Sequence, residues 1–131
     1  MILDTDFLID LNQQRSDATA KASKLEEAGV PLRVPTVVVQ ELYVGVGAGG
    51  GSIGDAQTYE ALVANKLVVD LNERIARRAG VLEGQHIASE TKPDLGTGDA
   101  VVAATALQYN EPVVTSDRDF THVDGLAVEL V

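Results

Sequence analysis

Two apolar patterns alternate along this chain. Short runs at residues 1–3, 31–35, 67–71 and 113–114 are rich in Val, Leu and Ile and show no strict apolar–polar alternation. Strands covered on both faces, as in parallel sheets, read this way. Between the runs, apolar residues recur at helical spacing. Phe7 and Leu11 suggest a short helix after Thr5. Ala18, Ala22 and Leu25 mark a helix from about Asp17 to Ala28, with Gly29 as its stop. Thr36 reads as the N-cap of a helix from Val37 to Val44. Tyr59, Leu62 and Val63 point inward from a helix over 55–65. Ile75, Ala79, Leu82 and His86 form one stripe on a long helix over 72–90. The last helix, Ala100 to Leu107, is apolar on every side and should be buried. The chain then turns at Asn110, Glu111 and Pro112, and 126–131 closes it as an edge strand. This succession predicts an α/β domain with a mainly parallel sheet of about five strands, spanning 1–131 as one unit.

In such sheets ligands bind outside the carboxyl ends of the strands. That rule makes four acids conspicuous. Asp4 and Asp117 follow short apolar strands, and Asp99 opens the buried helix. Glu41 lies four residues after Val37 and three after Val38, so it shares their apolar face. Taken singly, each has an ordinary structural reading. Asp99 suits the positive end of a helix dipole, Asp4 and Asp117 suit turns or caps, and Glu41 suits an arginine partner. Together they would repel one another unless cations sat between them. An all-oxygen set suits Mg²⁺ or Mn²⁺, which would activate a water and neutralise charge on a phosphodiester.

Composition narrows the classes. With no cysteine, disulfides and thiolate metal sites are excluded. No apolar run approaches the roughly 20 residues of a membrane span. The first residues lack the basic lead and cleavage site of a signal peptide, so a cytoplasmic protein without membrane attachment is expected. Twenty acids against ten bases give a net charge of −10, so the surface field as a whole does not gather nucleic acid. The acids form a solvated coat, as in salt-loaded cytoplasms, or in part bind divalent cations. Arg74, Arg77 and Arg78 form the one basic cluster, read as a solvated face with RNA contact as the alternative. His86 reads as a packed or edge histidine in preference to a ligand. The glycine-rich stretch 45–54 follows a helix and has no Gly-Lys pair, so it reads as a flexible linker and not a phosphate loop.

Four segments, ILDTDFLI, VPTVVVQELYVG, DAVVAATAL and VVTSDRDF, occur in an order and at spacings that resemble PIN-domain ribonucleases, in particular the VapC-type toxins of toxin–antitoxin pairs. The resemblance implies an α/β/α sandwich around a parallel sheet and metal-dependent endonucleolytic cleavage of RNA. It places the family's metal-binding acids, which are also its catalytic set, on Asp4, Glu41, Asp99 and Asp117. Supporting positions fall on Asp6, Thr115 and Asp119. It further implies a cognate VapB-like antitoxin and a homodimer. Against the negative charge, the metal ions together with Arg118 or the Arg74, Arg77 and Arg78 cluster would supply attraction for RNA.

Three other readings fit parts of the chain. Asp4-Thr5-Asp6 is similar to the nucleophile motif of haloacid dehalogenase-type phosphatases, but Lys92 lies too close to Gly98-Asp99, Ala103 stands where a second acid is needed, and Glu41 has no role. A phospho-receiver domain lacks its lysine after the last long strand. A PIN-like scaffold without activity would tolerate loss of the acids, and here all four are present.

Overall fold

The computed structural model describes residues 1–49 and 53–131. Five strands form one sheet: β1 (Ile2–Leu3), β2 (Arg33–Pro35), β3 (Leu67–Val69), β4 (Val113–Thr115) and β5 (Val128–Leu130). Every pairing is parallel, in the order β3-β2-β1-β4-β5. Among the described residues six helices flank it: α1 (Thr5–Asn12), α2 (Ser16–Glu27), α3 (Thr36–Ala48), α4 (Ile53–Ala64), α5 (Glu73–Ala88) and α6 (Thr97–Tyr109). A short 3-10 helix, Arg118–His122, follows β4. This is the expected α/β/α arrangement. No helix among the described residues is long and apolar enough to cross a membrane.

The burial pattern explains the apolar runs of β1, β2 and β4, whereas Leu67, Val68 and Leu71 in the run at 67–71 are exposed on the edge strand β3 and after it. Ile2, Leu3, Val34, Val113 and Val114 are fully buried, so their strands show no alternation. Helix α6 packs on β1, β2 and β4 and also against α3 and α5. Ala100 to Ala106 are all buried, as a helix enclosed by sheet and helices requires. Asn110 ends α6 in the left-handed region at φ 53°, and Glu111 N–H donates back to Ala106 O. Gly29, at φ +66°, ends the turn after α2 in the same way. The large buried side chains Phe7, Leu8, Leu42 and Phe120 each contribute roughly 1.5–3 kcal/mol through burial.

Two expectations are corrected. Thr36 is the first residue of α3 and not its cap; its hydroxyl accepts from Leu71 N–H at 3.2 Å and ties the helix start to the segment after β3. Helix α3 also runs past Val44. Gly45 to Ala48 are helical and α4 begins at Ile53, so most of the stretch expected as a linker over 45–54 is helix; residues 50–52 of it lie outside the described residues. Glycine spaced between Val44, Val46 and Ala48 weakens a helix by roughly 1 kcal/mol each without forbidding it.

The strand order fixes where chemistry can happen. From β1 the chain moves outward to β2 and β3, and from β4 it moves the other way to β5. The order therefore reverses between β1 and β4, and the carboxyl ends of these two strands border a crevice.

Candidate active site at the strand-order reversal

Asp4 follows β1 directly and is buried. Its Oδ2 accepts from Thr115 Oγ1 at 2.7 Å, a hydroxyl at the end of neighbouring β4. The same Thr115 oxygen accepts from Asp117 N–H at 3.0 Å, and Asp117 Oδ1 accepts from Asp119 N–H at 2.9 Å. One hydroxyl thus joins the ends of both strands, and the short helix after Asp117 starts on that capping bond.

Asp99 lies in the first turn of α6, and Glu41 comes from α3. Glu41 is half-buried, and its Oε2 accepts from Thr5 Oγ1 at 3.1 Å. Among the described residues no arginine pairs with it. Glu41 and Asp99 line a common cleft of about 440 Å³ with Val37, Gln40, Val44, Gly96, Thr97 and Gly98. Gly98 leaves room for the Glu41 carboxylate against α6: a Cβ there would stand 2.5 Å from Glu41 Oε1.

The acids act on one another electrostatically. Burial, first, and then the charges of Asp6 and Asp99 push the Asp4 carboxyl up to about 7, although bonds from the Thr115 hydroxyl and the Thr5 N–H oppose the rise. Burial also raises Asp99, to about 6, with the charges of Asp117, Glu41, Asp6 and Asp119 adding to it. Asp6 is exposed, but partial loss of hydration and the charges of Asp117 and Asp10 raise its carboxyl as well. Among the described residues no Lys or Arg lies within ion-pair distance of Asp4, Glu41, Asp99 or Asp117; ion pairs such as Arg33–Glu111 and Lys92–Asp124 are elsewhere.

The donors at this edge are carboxylate and hydroxyl oxygens, a set that suits Mg²⁺ or Mn²⁺ in kind. As the side chains stand, no group of three or more His, Asp and Glu among the described residues is close enough to hold a metal ion. The charges of Glu41 and Asp117 act on Asp99, and the charge of Asp99 acts on Asp4.

The other expected residues separate clearly. Asp6 and Asp119 enter the field at Asp99, and Thr115 holds Asp4. Arg118 is exposed next to Asp117. Arg74, Arg77 and Arg78 line a different depression with Glu73 and Val81, and Arg77 pairs with Glu73 at 3.2 Å. His86 is packed, with Nδ1 3.0 Å from Pro93 O. Nothing in the sequence marks Thr5 or Gly98 as a neighbour of Glu41. Their partner Glu41 lies far along the chain, so no local spacing signals either contact.

A family model described as PIN domain matches residues 1–126. Ribonuclease VapC5 of Mycobacterium tuberculosis (strain ATCC 25618 / H37Rv) is 35% identical over 135 residues, covering 99% of this chain and 93% of that protein. Among solved structures, VapBC-5 from Mycobacterium tuberculosis, a member of the VapBC family of toxin–antitoxin systems, is 26% identical with a TM-score of 0.65, covering 99% and 95% of the two chains. VapBC2 from Rickettsia felis, bound to a DNA fragment from its promoter, has a TM-score of 0.86 at 17% identity and 99% and 97% coverage; it bears on the fold alone. The chain belongs to the PIN-domain family and is similar, over nearly its full length, to the VapC-type toxins of toxin–antitoxin pairs.

Proposed function

We propose that this protein is a metal-dependent endoribonuclease, the toxin of a VapBC-type pair, acting as a single domain over 1–131. The supporting observation is the pair Asp4 and Asp99. Both are raised by burial and by neighbouring acids, and among the described residues neither has a cation beside it. In this reading Asp4, Glu41, Asp99 and Asp117 hold Mg²⁺ or Mn²⁺. Once bound, the ion supplies an activated water and charge neutralisation at an RNA phosphate. Thr115 fixes one oxygen of Asp4. Asp119 N–H does the same for Asp117. Thr5 steadies Glu41, and the Asp6 and Asp119 charges strengthen the local demand for a cation. Arg118, exposed beside Asp117, meets the RNA backbone as it enters, with Arg74, Arg77 and Arg78 as a more distant contact. The kinship with VapC-type toxins is the ground for proposing a cognate VapB-like antitoxin, a homodimer and a cytoplasmic setting. The test is cleavage of a mixed cellular RNA pool by purified protein with Mg²⁺, Mn²⁺ or chelator, beside Asp4→Asn and Asp99→Asn. Discrete, metal-dependent cuts lost in both variants support the reading. Equal behaviour of wild type and variants turns it toward a catalytically silent scaffold.

A further inference from the structure

We infer that Thr5 and Gly98 are positioning residues for Glu41, and that they set where its carboxylate stands relative to Asp99. Thr5 is buried and directly follows Asp4, and its hydroxyl donates to Glu41 Oε2 at 3.1 Å. On the other side of the same carboxylate stands Gly98. A Cβ at position 98 would lie 2.5 Å from Glu41 Oε1 and 3.3 Å from its Cδ, and 3.8 Å from Val37 Cγ2. The glycine is not there for its backbone: Gly29 and Gly125 take positive φ, and Gly98 does not. It is there for space. The atom it makes room for is the end of a flexible side chain, so a methyl group would displace the Glu41 carboxylate and leave the packing of α3 on α6 nearly intact. A hydroxyl draws the carboxylate in from one side and a missing methyl lets it in from the other. The fold does not depend on that position, and the acid cluster does.

The metal part of the test rests on the function proposed above, so a second readout is kept independent of it. Gly98→Ala and Thr5→Val are compared with Thr5→Ser, which keeps the hydroxyl. Thermal unfolding, Mn²⁺ binding by calorimetry and the ¹³C resonance of the Glu41 carboxyl, assigned with Glu41→Gln, are measured on each. Gly98→Ala and Thr5→Val should unfold near the wild-type temperature and bind Mn²⁺ about 10- to 100-fold more weakly. The Glu41 resonance should move in both. Thr5→Ser should restore binding, and neither change should weaken it further in a Glu41→Gln background. Wild-type binding together with an unmoved resonance in both variants overturns the inference. So does a loss of binding that tracks a loss of stability and persists in Glu41→Gln. If the wild type itself binds no Mn²⁺, the proposed function falls, and the Glu41 resonance alone decides the positioning claim.

Discussion

Thr115 Oγ1 lies 2.7 Å from Asp4 Oδ2, a buried bond between the ends of adjacent parallel strands. The hydroxyl donates to one acid and accepts from the backbone N–H of a second, Asp117, at 3.0 Å. The reversal of strand order brings β1 and β4 side by side, and Thr115 turns that adjacency into a defined spacing of carboxylates.

Thr115→Val should therefore do more than remove one bond. It leaves Asp4 Oδ2 and Asp117 N–H without their partner in a buried place, which costs about 1–3 kcal/mol of stability. The hydroxyl also holds the Asp4 carboxyl down, so its pKa should rise above its present value of about 7. Urea unfolding and a ¹³C titration of Asp4 check both effects, and Thr115→Ser should retain most of each property.

The raised carboxyls make metal-free stability depend on pH with a definite sign. Asp4 and Asp99 move from 3.8 to about 7 and about 6 in the folded chain. Between those limits the folded state holds more protons than the unfolded one. Their contribution is fully present below 3.8 and is lost as pH rises through the folded values. In chelator, Asp4→Asn should match wild type near pH 4 and become more thermostable than it above about pH 7. Melting curves across that range decide the point, and a variant that stays parallel to wild type at every pH would count against burial as the main cause.

How much of this was legible in the sequence follows from what is local. The buried strands and α6 announced themselves through unbroken apolar runs, and Asp4, Asp99 and Asp117 through their places at the ends of those runs. Glu41 was visible because a carboxylate on an apolar helical face needs a reason. Partners were not legible. That Glu41 takes Thr5 and not an arginine, or that Gly98 clears space for it, depends on α1, α3 and α6 meeting in three dimensions. The end of α3 was misplaced because glycine propensity disfavours helix only weakly, and here Gly45 and Gly47 continue one.

Far from these acids, Glu111 offers a contrast. Burial alone would raise its carboxyl, but bonds from the Met1 amine at 2.8 Å and Arg33 Nε at 2.7 Å outweigh it and hold the group below 4.5. Arg33 also stacks over Tyr109, 4.6 Å from the ring centre. Glu111→Ala should cost about 1–3 kcal/mol at pH 7, with the gap from wild type closing as pH falls through the lowered value. RNA cleavage per folded molecule should not change.

Arg118 separates substrate attraction from chemistry. If it meets the RNA backbone, Arg118→Ala should raise KM several-fold with little change in kcat, and the salt slope of RNA binding should fall by about one ion. A changed kcat at unchanged KM would place Arg118 in the reaction itself.

The central claim is that Asp4, Glu41, Asp99 and Asp117 form one cation site at the reversal of strand order. Calorimetric titration of Mn²⁺ at pH 6, run in two buffers of different ionisation enthalpy, tests it most directly. The account predicts binding with proton release, because Asp4 and Asp99 are partly protonated there and must ionise to bind. Asp4→Asn and Asp99→Asn should each abolish most of the binding and the release. Binding that is proton-neutral and unaffected by both variants, or no binding by the wild type, would contradict it.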